Sequence, residues 1–312
     1  MIVLVTGHKG FLGSNMVKFL KSKNREVRTT DGDLRDYKVA LNATYGVDWV
    51  MSFAANMGGI GFFSEQNYYP VMDNFLIDLN ILKACEEHKV KRLFYPSSAC
   101  AYNTDLMNQG VPLCEDLLDG PAKPDQMYGW EKLTMLKLMA NSPVDCRVGV
   151  LHTIYGDGQE FMGPKAKFPP QMAYKGIVAA KTGRISVWGD GTQTRTFLHV
   201  DDAMKKIYAM VNTKKNNGPL NIGAWKEVSV NEIVELVCSI LDIKPEVTHD
   251  LTKPVGPKRR ICSNVKYDSK YTIREDVTLR EGFTRLINYI KAHESARHSN
   301  SRIRSRRLRS RS

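Results

Sequence analysis

The chain opens MIVLVTGHKGFLG, and this stretch constrains the fold more than any other. A short apolar run, IVLVTG, leads without a linker into Gly7, Gly10 and Gly13, and helical periodicity follows over 14–22. Glycines at the junction of a strand and a helix let backbone N–H groups and the positive helix end approach a pyrophosphate with no Cβ in the way. The rhythm continues: EVRTT, VDWVMSFAA before 71–88, RLFYPSSA before 127–140, then CRVGVLHTIYG. Strands alternating with helices specify crossover units and a parallel sheet covered on both faces. The expected fold class is α/β, a Rossmann-type doubly wound parallel sheet. After Gly156 the loops lengthen, a helix is expected at 229–241, and TKPVGPKRRICSN reads as a loop. Residues 1–155 are expected to form a dinucleotide-binding domain, rejoined around 197–224, and 156–294 mainly a smaller C-terminal α/β substrate domain.

Composition narrows the function classes. The six cysteines are scattered with no C-x-x-C pair, so neither a disulfide framework nor a metal site is expected, and a reducing, cytoplasmic setting fits. No apolar run reaches the roughly 20 residues that span a bilayer, and the N-terminus enters a strand rather than a signal peptide. The net charge of +12 suggests nucleic acid until its distribution is considered: residues 295–312 hold seven arginines and no acid, leaving +5 for the other 294 residues. That Arg/Ser-rich tail buries too little apolar area to offset its ordering and is expected to be disordered. Nucleic-acid binding is expected only through it, and a non-catalytic binding protein is the remote alternative to an enzyme.

YGWEK sets Tyr128 and Lys132 four apart, on one face of a helix. A phenol with an ordinary pKa of about 10 is a poor base at neutral pH, and an adjacent ammonium stabilises its phenolate. Asp31, where the second strand ends, is placed to accept ribose hydroxyls and points to NAD, whereas Lys9 and Arg28 favour the extra phosphate of NADP; both cofactors stay open.

The spacing G-x-x-G-x-x-G, followed in order by SSA, Tyr128 and Lys132, resembles the extended short-chain dehydrogenase/reductase family of nucleotide-sugar enzymes over residues 1–292. AANMGGIGFF, KRLFYPSSACAY, YGWEK, PKAKFPPQMAYK and VWGDGTQTRTF are similar to the GDP-mannose 3,5-epimerases, with the GDP-L-fucose synthases next through the GHKG loop and FLHVDD. The resemblance implies a GDP-sugar substrate, a homodimer, and a cofactor held by Gly7, Gly10, Phe11, Leu12, Gly13, Asp31, Asp33, Leu34, Ala54 and Ala55 beside Tyr128 and Lys132. It implies transient oxidation at C4, with Tyr128 taking the hydroxyl proton and Ser98 bonded to the same oxygen. A C4 ketone acidifies the hydrogens on C3 and C5, and inversion then needs a proton carrier on each side of the ring. The resemblance gives these parts to Cys100 and Lys167, and substrate contacts to Gly58, Lys175, Gln193, Arg195 and Arg260. The synthases carry histidine where this chain has Lys167, so the epimerase reading leads and an NADPH-consuming epimerase–reductase is the alternative. Thr153 in place of asparagine, Asn103 in place of proline and a short second strand depart from the epimerase pattern.

Overall fold

The computed structural model describes the backbone of residues 1–309 and the side chains of 1–294, and the disorder expected of the 295–312 tail lies outside the residues described in full. The strands in chain order are β1 (Ile2–Val5), β2 (Glu26–Thr29), β3 (Trp49–Met51), β4 (Arg92–Ser98), β5 (Cys146–Leu151), β6 (Thr153–Tyr155), β7 (Arg184–Trp188), β8 (Thr194–His199), β9 (Leu220–Ile222), β10 (Glu227–Ser229), β11 (Glu246–Asp250) and β12 (Arg259–Arg260). The helices are α1 (Phe11–Ser22), α2 (Tyr37–Thr44), α3 (Ile60–Glu65), α4 (Tyr68–Glu87), α5 (Thr104–Asn108), α6 (Gln126–Ala140), α7 (Phe168–Thr182), α8 (Val200–Asn212), α9 (Val230–Leu241), α10 (Val265–Asp268) and α11 (Leu279–Arg309).

Six strands form one parallel sheet in the order β2-β1-β3-β4-β5-β9. Every residue of β3 and all but the last of β5 are buried, as a sheet covered on both faces requires. One core lies on the side of α2, α4 and α6, and a second on the side of α1 and α8. The connections leaving β1 and reaching β3 run to opposite sides of β1, so the crevice above their carboxyl ends is the topological switch point, where open α/β sheets bind ligands. A third core gathers α7, α9 and the start of α11 around β7, β8 and β10.

Two expectations change. CRVGVLHTIYG is two strands: β5 stays in the six-stranded sheet, and after His152 the chain turns into β6, which pairs with β8. His152 sits at the crossing with Nε2 3.2 Å from the Asn221 carboxamide oxygen, and burial pushes its imidazole down to about 3, keeping it neutral. TKPVGPKRRICSN also contains β12, which pairs in parallel with β8 and sets Arg260 opposite Arg195. Asn103 caps α5, its side chain accepting from the Asp105 N–H (2.8 Å), a role open to asparagine and closed to proline. Among the described residues no helix is long and apolar enough to cross a membrane.

Candidate active site

The glycine loop is shaped by close approach. Gly7 adopts φ +62°, and a Cβ there would lie 2.6 Å from the Phe53 carbonyl carbon; one on Gly13 would lie 2.2 Å from the Gly7 carbonyl oxygen. Side chains are excluded at both positions. The Gly10 N–H donates to the Gly7 carbonyl (2.9 Å), and Gly10 is the N-cap of α1, whose first residues Phe11 and Leu12 pack partly buried against the core. The buried Thr6 hydroxyl accepts from the N–H groups of Phe53 (3.0 Å) and Ala54 (3.1 Å), which binds the segment carrying Ala54 and Ala55 to this loop.

Beyond β2, Asp31 pairs with Lys9 (2.6 Å) and lies 3.4 Å from His8 Nε2. The Lys9 hydrogen bond holds its carboxyl below the ordinary range. Arg28 turns away and donates to the Tyr45 carbonyl, so Lys9 alone of the two expected cations stands at the cradle. Arg35 holds Asp33 down to about 2, and Leu34 is buried, its carbonyl accepting from Asn80 (3.0 Å). A loop that bars a Cβ at Gly7 and Gly13, at the switch point and flanked by a carboxylate, fits a dinucleotide.

At the tip of β4 the two serines divide their work. Ser97 donates to the Lys132 carbonyl (3.0 Å) inside the core, and strand alternation turns Ser98 to the cleft. There its hydroxyl accepts from the Cys100 N–H (3.2 Å), capping a single 3-10 turn, Ala99–Ala101, and its polarity favours the Tyr128 phenolate. Cys100 is a half-buried free thiol. Its carbonyl accepts from the Asp125 N–H (2.9 Å), and a Cβ on Gly129 would fall 2.3 Å from that carbonyl oxygen, so Gly129 lets α6 rest on the turn that carries the thiol.

Tyr128 stacks on Phe63 of α3 (ring centroids 4.8 Å apart), and the Lys132 ammonium lies 5.8 Å from its ring. Burial pushes the phenol up; Lys132 and Ser98 pull it back, and Cys100 and Glu131 add to the rise. Lys132 is itself buried, with Nζ 3.0 Å from Glu131 Oε1, 3.2 Å from the Tyr95 hydroxyl and 3.5 Å from Asp78 Oδ2. Burial works against its charge, but these neighbours hold its pKa above the usual lysine value.

Lys167 is the N-cap residue of α7 and is exposed. Desolvation lowers its pKa, the Cys100 thiolate would raise it, and Lys132 lowers it further. Arg260 donates to Asp125 Oδ2 (2.7 Å) while its buried Nε has no partner. Desolvation and Arg260 bring Arg195 down to about 9, still a cation at neutral pH. Like charges opposed across a strand pair are unfavourable until an anion sits between them. Lys175 stands apart from this group: it donates to the Ser186 carbonyl (2.7 Å) and lies 5.9 Å from the Trp188 ring, whose carbonyl also holds Gln193 (3.3 Å). Gly58 lies against Phe62, where a Cβ would come within 2.5 Å of the ring.

Several contributors escape sequence reasoning. Phe63, Asp78, Tyr95, Asp125 and Trp188 meet the site only through tertiary packing, and Glu131 beside a lysine on a helix reads as a solvated charge. Gln126, φ +59°, opens α6 in a left-handed backbone uncommon outside glycine.

Residues 3–223 match the model of the NAD dependent epimerase/dehydratase family. GDP-mannose 3,5-epimerase 1 of Oryza sativa subsp. japonica is 31% identical over 313 residues, covering 93% of this chain and 81% of the relative. Putative GDP-L-fucose synthase 2 of Arabidopsis thaliana is 28% identical over 283 residues, with 86% and 85% covered. Among solved structures, the UDP-glucose 4-epimerase of Thermus thermophilus in complex with NAD superposes with a TM-score of 0.80 at 21% identity, over 93% of this chain and 99% of that one, a likeness of fold. The glycine cradle at the switch point, the Ser98, Tyr128 and Lys132 grouping and a family match over most of the sheet agree: the chain belongs to the NAD dependent epimerase/dehydratase family, within the extended short-chain dehydrogenases/reductases.

Proposed function

We propose that this enzyme is a GDP-sugar epimerase that inverts C3, C5 or both after transient oxidation at C4, with NAD as cofactor. One arrangement carries the reading: α6, which holds Tyr128, rests on the Cys100 turn at Gly129, Arg260 is tied to Asp125, whose N–H bonds the Cys100 carbonyl, and β12 sets Arg260 opposite Arg195. The names of its epimerase and synthase relatives supply the GDP-sugar class. Gly7, Gly10 and Gly13 would hold the cofactor, with Asp31 available to its ribose hydroxyls, and it would supply the reversible oxidation of C4. Tyr128 accepts the proton of the C4 hydroxyl at its phenolate oxygen, with Ser98 bonded to the same sugar oxygen. Cys100 Sγ and Lys167 Nζ exchange protons with the ring carbons from opposite faces, and desolvation, which lowers the lysine's pKa, favours its neutral, basic form. Arg195 and Arg260 receive the diphosphate, relieving their mutual repulsion. Electrons return to the sugar, so turnover is redox-neutral.

Incubation with GDP-mannose and NAD in heavy water, without reductant, is expected to place deuterium at C3 or C5, located by mass spectrometry and NMR. Turnover confined to a 4-keto-6-deoxy sugar and dependent on NADPH would replace this reading with the epimerase–reductase one. Silence with both substrates would defeat either.

The same reading includes a homodimer. One face of α4 is buried through Val71, Ile77, Ile81 and Cys85, yet Tyr68, Tyr69, Met72, Leu76 and Leu79 stand exposed on the other, Tyr69 at 76%. Trp130 and Leu138 of the adjoining α6 extend this apolar face, which monomers rarely leave bare. Sedimentation velocity is expected to show a dimer, converted to monomer by Leu76→Lys with Leu79→Lys; a monomeric parent would refute it.

A further inference from the structure

We propose that Glu131 is a positioning residue for the reaction: its buried carboxylate, with Asp78 and Tyr95, anchors the Lys132 ammonium and sets the pH at which Tyr128 acts as a base. The inference rests on Tyr128 as the base proposed above. Glu131 has 0% exposure, Oε1 lies 3.0 Å from Lys132 Nζ and accepts from the Tyr95 hydroxyl (3.3 Å), and Oε2 is buried with no hydrogen-bond partner. Asp78, equally buried on α4, brings a second carboxylate to within 3.5 Å of the same ammonium. Two acids share one cation, so the fully ionised group holds a surplus negative charge in a dry interior, and a Tyr128 phenolate adds another. Such a surplus is costly, and the coupled group binds a proton in preference.

Glu131 is the site that takes it. Burial pushes its carboxyl up to about 7, with Lys132 pulling it down and Asp78 pushing further up. The other groups facing this cluster are the Lys167 ammonium, which acts on Lys132, and Cys100 and Arg260, which act on Tyr128. Ionised Glu131 opposes the phenolate, whereas Lys132 favours it. As pH rises through neutrality Glu131 loses its proton and holds Tyr128 back, so the phenolate fraction grows more slowly with pH over that range. The ascending limb of the rate–pH profile is therefore shallower than a one-proton limb.

The test is the pH dependence of kcat in the full-length holoenzyme. The parent is expected to rise with a slope below one. Glu131→Gln keeps the shape and the Tyr95 contact while removing the charge; its limb is expected to steepen to unit slope, so that kcat matches the parent at pH 6, where Glu131 already carries its proton, and is about fivefold higher at pH 8, where the parent's Glu131 is ionised, with KM within about twofold. Asp78→Asn, on a different helix, lets Glu131 ionise at lower pH and is expected to move the flattened part of the limb to lower pH. A unit slope in the parent overturns the inference without any variant, and so does an unchanged limb in either variant that folds. Activity retained in Tyr128→Phe would instead defeat the assignment of the base, which separates the two failures.

Discussion

Cys100→Ala abolishes deuterium uptake at C3 and C5 while the sugar nucleotide remains bound: exchange is expected to fall by ~10²- to 10⁴-fold, the usual worth of a positioned proton carrier. The turn that presents the thiol is held by backbone and by Ser98, through the Cys100 N–H (3.2 Å) and the Cys100 carbonyl (2.9 Å from the Asp125 nitrogen), so truncation at Cβ leaves its geometry in place. Arg195 and Arg260 are untouched, and affinity for the GDP-sugar is expected to stay within about twofold. Lys167→Met separates the two carriers. With the thiol retained, label enters and leaves from one face of the ring, so exchange is expected to outlive inversion. Mass spectrometry reads the first quantity and NMR the second. Full exchange in Cys100→Ala would remove the sulfur from the chemistry altogether.

How much of this was legible depends on how local each cause is. The loop of Gly7, Gly10 and Gly13 could be read because strand, turn and helix follow one another within thirteen residues, and the constraint that bars a Cβ at Gly13 comes from Gly7 itself. Tyr128 and Lys132 could be read because helical spacing alone aligns them. The break at His152 could not, since the apolar pattern runs on through CRVGVLHTIYG, and pairing with β8 is what draws β6 out of the first sheet. β12 was hidden for the same reason: two residues beside prolines and a glycine become a strand only where β8 offers an edge, and that pairing puts Arg260 next to Arg195. Resemblance named both arginines; their adjacency is a tertiary fact. Asp78 and Glu131 were invisible because acids on helices are ordinarily solvated, and only the arrival of Lys132 and Tyr95 makes their burial tolerable. The apolar outer face of α4 was likewise merged into a single helical stretch, since sequence does not say which of two apolar faces meets the core.

Tyr128→Phe tests the remaining half of the chemistry. The ring stacks on Phe63 at 4.8 Å and the packing of α6 on the Cys100 turn depends on Gly129, so phenylalanine fills the same space and stability should change little. What disappears is one oxygen. That oxygen meets the Ser98 hydroxyl and the Lys132 charge, both of which favour its ionised form against the desolvation that opposes it. Without it no group is placed to take the proton of the C4 hydroxyl, because Lys132 is committed to Glu131, Tyr95 and Asp78 within 3.5 Å. Turnover is expected to drop by ~10²- to 10⁴-fold, and deuterium exchange with it, since the acidity of C3 and C5 hydrogens exists only once C4 is a ketone. Supplying a substrate already oxidised at C4 distinguishes the roles: exchange from that ketone should persist in Tyr128→Phe and be lost in Cys100→Ala. Loss of exchange from the ketone in both variants would mean that Tyr128 serves the ring carbons as well, and turnover within tenfold of the parent would mean that it is not the base.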